Sequence, residues 1–152
     1  MKPMTFMNLS GHALAAFAQR HGLDTRKLLV AYDDAALPLG TLRLRPGGSD
    51  GGQKGIRHLI EILGTDQIPR LRVGIRSRSQ PRPADLVRFV LSEFEPEEKP
   101  LLEEVLDRAE TAGEQWLSQE LGAVMAEFNT KKPITVESRK PGVKPTEKGG
   151  EP

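Results

Sequence analysis

Asp33 follows Leu28-Leu29-Val30-Ala31-Tyr32, an apolar run with no other charge in it. A carboxylate there can orient a histidine and stabilise its protonated form, the third-group role in general-base catalysis. It can equally cap a turn or helix, a common use of aspartate after a strand. Asn8, between Met7 and Leu9, offers a donor and an acceptor at the start of a helix, either to cap it or to fix a substrate or catalytic group. Arg45 and Arg72 lie on neighbouring strand-like segments, where two guanidinium groups can grip a phosphate bidentately or simply be solvated. Gly47-Gly48-Ser49-Asp50-Gly51-Gly52 leads into a helix near Gln53. Backbone amides and the helix dipole can bind an anion there, with Lys54 and Arg57 adding positive charge. The spacing and the missing Lys-Ser/Thr ending exclude a Walker A loop, and the same glycines also suit a flexible connection. The histidines are His12, His21 and His58. None has an obvious partner in sequence, and all three read as surface or packing residues.

The elements that must position these groups alternate along the chain. Asn8 or Ser10 can cap a helix carrying Leu9, Ala13, Ala16 and Phe17, which Gly22 ends. The run Leu28–Tyr32 reads as a strand buried on both faces, as in a parallel sheet covered by helices, with Asp33-Asp34 at its end. Thr41 to Arg45 alternates, Leu42 and Leu44 one way, Arg43 and Arg45 the other, as in a half-buried strand with a basic outer face. Ile56, Leu59, Ile60 and Leu63 mark the next helix, and Leu71–Ile75 a further strand with Arg72 opposite Leu71 and Val73. Pro81 to Pro83 breaks the chain, and Leu86, Phe89 and Val90 form a short helical stripe. From Pro96 to Phe128 apolar residues recur at three- and four-residue intervals; Gly113 and Gly122 weaken this stretch into two helices with a bend. The expected fold is a single α/β domain, a mixed β-sheet flanked by helices, over residues 1–130. Residues 131–152, rich in Lys, Pro, Gly and Glu, are expected to be a disordered basic tail. In such sheets sites gather at the carboxyl ends of strands, which favours Asp33, the glycine loop and the residues after Ile75.

With 152 residues and 37% hydrophobic content, the chain has one domain's worth of core. The absence of cysteine excludes disulfides and thiolate metal sites and suits a reducing cytoplasm. No apolar run is long enough to span a membrane, and the N-terminus lacks a secretory pattern. The net charge of +1 hides a segregation: Gly40–Arg82 carries +6 and Asp85–Glu127 carries −9. A basic middle and an acidic end point to one anion-facing surface and one solvated helical surface.

Four segments together resemble one family. Lys2-Pro3-Met4-Thr5-Phe6-Met7-Asn8-Leu9-Ser10-Gly11 is similar to the Pro-x-Thr-Phe-Met-Asn-Leu-Ser-Gly signature of bacterial-type peptidyl-tRNA hydrolases. The segment Leu28 to Asp34, then Leu37-Pro38-Leu39-Gly40, resembles the second motif, Gly47 to Ile56 the third and Arg70 to Ile75 the fourth, in the family's order and spacing. The resemblance implies hydrolysis of the ester joining a peptide to the 3′ end of tRNA, by a monomeric cytoplasmic enzyme that uses no metal or cofactor and activates water with a histidine. It implies that Asp33 holds that histidine, that Asn8 helps position the ester end, and that Phe6 and Met7 line the same cleft. Arg45 and Arg72 match the pair that grips the tRNA 5′-phosphate, in keeping with the basic middle segment.

Two departures bear on activity. The family's third motif usually ends His-Asn-Gly, whereas here it is Gln53-Lys54-Gly55. Lys54 then stands in a substrate-binding position, able to donate to a developing oxyanion as a flexible point charge. Family members also begin with a strand, a Gly-Asn-Pro-Gly motif and the catalytic histidine roughly 50–60 residues before the asparagine matched by Asn8. The expectation is a chain lacking the family's first strand and helix, with Met1 an internal methionine, an open sheet edge and no general base. The alternative reading is a non-catalytic tRNA- or RNA-binding relative.

Overall fold

Amphipathic stripes and alternating strands settle into a sandwich of helices around a small sheet. A computed structural model describes residues 1–24, 27–79, 84–129 and 133–134. A single 3-10 turn, Met7–Leu9, leads into α1 (Ser10–His21). Next come β1 (Val30–Pro38), β2 (Leu42–Arg45), α2 (Lys54–Leu63) and β3 (Arg70–Arg76). The chain continues with α3 (Leu86–Val90), α4 (Lys99–Trp116) and α5 (Leu121–Phe128). The sheet order is β1-β3-β2, with β1 parallel and β2 antiparallel to β3. It is the mixed α/β arrangement expected from the alternation of periods.

Strand alternation sorts the core into two. Leu42, Leu44 and Leu71 are buried with Val105, Ala112, Val124 and Phe128 of α4 and α5. On the other face Leu14 of α1 and Ile56 and Leu59 of α2 pack with Ile68, joined by Leu28, Val30 and Tyr32. Left-handed glycines end the first two helices, Gly22 after α1 (φ 60°) and Gly64 after α2 (φ 67°), as helix stop signals require.

Several expectations are corrected. β1 starts at Val30 and runs through Asp33 and Asp34, so the two aspartates lie inside a strand and point to opposite faces. β1 is an edge strand and is half-buried, with Ala31 exposed, because no strand pairs with its outer edge among the described residues. Neither Asn8 nor Ser10 caps α1. Leu9 occupies the cap position without a side-chain bond, and the Ser10 hydroxyl donates back to the Met7 carbonyl at 2.9 Å. The long C-terminal stretch does divide, but between Trp116 and Leu121; Gly113 lies inside α4 and Gly122 inside α5. Leu106 of that stripe is half-exposed.

The opposite sheet edge is closed by one side chain. The Asn129 amide accepts from Leu44 N–H at 2.6 Å and donates to Leu44 C=O at 3.2 Å, mimicking a further strand. Asn129→Ala is expected to cost about 1–3 kcal/mol, the penalty for two unpaired, poorly accessible backbone groups, read as a lower urea midpoint with unchanged m. Ile134 donates to Gly40 C=O at 2.8 Å and packs on the α4–α5 core. The remainder of the expected tail lies outside the described residues, as does the Pro81–Pro83 break.

Candidate active site and anion-binding cleft

Two clefts adjoin β1, one lined by Asp33 and the other by Asp34, with Tyr32 bordering both. The first, of about 380 Å³, runs along the open edge of β1 and is closed by the lead-in chain, α1 and α2. Asp33 lines it with Met7, Thr5, Ser10, Gln53 and Gly55. Asp33 also borders a smaller pocket of about 140 Å³ with Ile75, Phe89, Val90 and Phe94, so this carboxylate stands where two hollows meet. Its backbone carbonyl accepts from Gln53 Nε2 at 2.9 Å, which ties the amino end of α2 to β1 beside the carboxylate.

Of the other residues expected at this cleft, Met7 lines it. Phe6 is 80% exposed, and Asn8, in the 3-10 turn, is exposed as well; neither is among the lining residues. Lys54 is the exposed first residue of α2, next to Gln53 at the cleft wall. The three histidines lie elsewhere: His12 and His21 on α1, His58 on α2, and none lines the cleft. Among the described residues no three His, Asp or Glu side chains gather as a metal site.

The second cleft, of about 310 Å³, is polar and lies beside the first, sharing Tyr32 and Gln53 with it. Here the structure brings Arg45 and Arg72 together, with Tyr32, Asp34, Arg70 and the glycine loop. The register explains the concentration of charge: Arg43 stands opposite Arg72 and Arg45 opposite Arg70. Like charges placed so repel, and Arg72 and Arg70 each have compensating partners. Arg72 Nε and Nη2 both reach Asp34 Oδ2 at 2.6 Å, while Asp34 Oδ1 accepts from Ala36 N–H at 2.8 Å. Arg70, almost fully buried, donates to the carbonyls of Gly48, Ser49 and Asp66. Burial pushes the Tyr32 phenol above its ordinary pKa, against the opposing charges of Arg72 and Arg70. It therefore stands in this cleft as a neutral hydroxyl.

The glycine loop works differently from its sequence reading. Gly48 N–H donates to Asp66 C=O, Gly52 N–H to the Asp50 carboxylate and Gln53 N–H to Asp50 C=O, so these three amides are spent within the protein. Arg57 does not add charge for an anion either. Its Nε donates to Asp50 at 2.9 Å, and that bond, with the Gly52 amide, holds the Asp50 carboxyl below its usual pKa. The loop is a scaffold pinned from inside by Arg70 and from outside by Asp50–Arg57, and the arginine side chains carry the cleft's positive charge. Asp34, Arg70 and the Gln53 amide escaped the sequence reading. Period-two alternation places Arg70 with Arg72, but the register that sets Arg70 against Arg45 comes only from pairing.

The sequence and the fold match a known group of proteins. The family described as Peptidyl-tRNA hydrolase matches residues 1–136. The peptidyl-tRNA hydrolase of Gloeobacter violaceus is 45% identical over 131 residues, 86% of this chain and 65% of the relative. That of Chloroflexus aggregans is 47% identical over 130 residues, 85% and 68% respectively. That of Chlorobium limicola is 49% identical over 106 residues, 70% and 55%. A crystal structure of the peptidyl-tRNA hydrolase from Acinetobacter baumannii superposes with a TM-score of 0.74 at 27% identity, covering 87% of this chain and 66% of that one. The chain thus spans about 55 to 68% of the length of these relatives. Taken with the two clefts and the four ordered motifs, the match over most of its residues makes this chain a member of the peptidyl-tRNA hydrolase family.

Proposed function

We propose that this chain recognises peptidyl-tRNA, holding the tRNA 5′-phosphate in the arginine cleft and the ester end in the cleft of Asp33, and that it belongs to a hydrolase that recycles tRNA in translation. The observation that carries the reading is the convergence of Arg45 and Arg72 in one polar cleft, with Asp33 in the cleft beside it. Arg72, held rigidly by Asp34, presents a planar donor set of the kind that suits a phosphate. Arg45, exposed at the end of β2, supplies a second charge. Asn8 and Lys54, on the two segments bordering the Asp33 cleft, are the candidates to contact the acyl end, with Phe6 and Met7 as apolar neighbours. The same reading makes the protein a cytoplasmic monomer acting without metal or cofactor. Hydrolysis itself needs a base beside Asp33, and none of the three histidines of the chain lines that cleft.

Filter binding of deacylated elongator tRNA across a salt series tests the reading. Two phosphate contacts are expected to give a log–log slope of about −1.5 to −2. Arg45→Gln should lower affinity and reduce the slope by about one, with little change in stability. Absence of binding at low salt, or binding indifferent to removal of the 5′-phosphate, would count against it.

A further inference from the structure

We propose that His58 positions the substrate-facing segment Phe6–Asn8 by capping the amino end of α1 from α2, and that protonation of its ring releases this segment and weakens recognition of the acyl end. The proposal rests on the reading of the Asp33 cleft as the site for that end.

The first turn of a helix leaves its leading N–H groups without partners. In α1 no side chain of the chain's own entry segment serves them. Instead Gly11 N–H donates across the helix pair to His58 Nδ1 at 3.0 Å. This cap joins positions 47 apart in sequence. The approach is close enough to need glycine. A Cβ on Gly11 would lie 2.7 Å from His58 C=O, 2.9 Å from Ile62 Cγ1 and 3.0 Å from His58 Nδ1. A second close contact runs the other way, since a Cβ on Gly55 would lie 2.6 Å from Met7 Sδ. Gly55 and His58 are one turn apart on α2 and face the same neighbour. Met7 rests on Gly55 and Gly11 rests on His58, and the turn bearing Asn8 lies between these two anchors. Phe6 and Asn8 themselves are exposed, so the segment has little burial of its own to hold it beside the Asp33 cleft.

The cap works only with an unprotonated Nδ1, since a protonated imidazole has two donors and no acceptor. It would also set a positive charge against the positive end of α1. The titratable group facing His58 from α1 is His12, edge-on with ring centroids 4.6 Å apart. The 3-10 turn carries no ionisable side chain. The other charged groups on the packed elements are Lys54, Arg57 and Glu61 along α2, and Arg20 and His21 at the far end of α1. Of these, Arg57 is engaged by Asp50.

The test titrates the 152-residue chain with two acceptor-stem RNA minihelices, both 5′-phosphorylated. One has a free 3′ end, and the other carries an N-acetyl-aminoacyl group through an amide that is not hydrolysed. At pH 8 the chain is expected to prefer the acylated probe by about five- to tenfold, the size of one cap interaction. At pH 5.5 that preference should be clearly smaller, while any weakening from protonation of the 5′-phosphate affects both probes alike. In His58→Asn, Oδ1 takes the place of Nδ1 and does not titrate, so the preference should persist at both pH values. In His58→Phe, which keeps the ring and loses the acceptor, it should be absent at pH 8. A preference in the unsubstituted chain that ignores pH, its survival in His58→Phe, or a pH dependence retained in His58→Asn overturns the proposal. So does equal binding of both probes by the unsubstituted chain at pH 8. Failure to bind either probe overturns the functional reading, and this proposal with it.

Discussion

Arg72→Ala is expected to cost about 3 kcal/mol of stability and at least tenfold in affinity for a 5′-phosphorylated tRNA end. The size follows from what is left behind. Asp34 is 8% exposed and its carboxylate faces the Arg72 guanidinium at 2.6 Å. Removing one member of such a pair strands the other charge away from water, which costs more than the pair itself contributes. Urea unfolding measures the first effect and minihelix binding the second. A double variant, Asp34→Leu with Arg72→Met, separates them. Stability should return to near the starting value, because an apolar pair of similar size replaces the ion pair, while phosphate binding stays lost. If the double variant remains as unstable as Arg72→Ala, the stranded carboxylate is not the cause. If Arg72→Ala binds the 5′-phosphorylated end as well as the unsubstituted chain, the cleft is not a phosphate site.

The second large effect concerns the ester itself. The 152-residue chain is expected to cleave N-acetyl-aminoacyl-tRNA at least ~10²-fold more slowly than the Acinetobacter baumannii enzyme, since a positioned general base typically contributes that much or more. On the proposed reading Asp33 would act through an imidazole, and the three histidines lie away from its cleft. Asp33→Asn should therefore leave the residual rate almost unchanged, because a residue that works through another contributes little once that partner is missing. Single-turnover cleavage of the two proteins under the same conditions gives the comparison. A rate near that of the relative, falling steeply in Asp33→Asn, would mean that another group of this chain serves as the base.

Much of the fold was legible because its elements obey two short periods. Leu42 and Leu44 against Arg43 and Arg45 is a period of two, and it announced both β2 and its basic face. Ile56, Leu59 and Leu63 is a helical period, and Gly22 and Gly64 stop the helices they follow. Where these rules failed, a tertiary neighbour had overridden the local signal. Asn8 and Ser10 are good caps by type, yet the cap of α1 comes from His58 on another helix. Leu28–Tyr32 looked doubly buried, but no strand covers the outer edge of β1 among the described residues. The glycine loop looked like an anion cradle, but its own carboxylate and a buried arginine take up several of its hydrogen-bonding groups.

The sequence by itself determined the family and the order of the elements and singled out Asp33, Asn8, Arg45 and Arg72 as candidates, because motif spacing and side-chain periodicity are local properties of a chain. Only the tertiary structure decided what each of these residues has for company. Strand register set Arg45 against Arg70 and brought Asp34 to Arg72. Helix packing set His58 against Gly11 and left Asp33 in a cleft without a histidine. These pairings join residues tens of positions apart, and no local propensity encodes them; they follow from burying two apolar faces of one sheet at once.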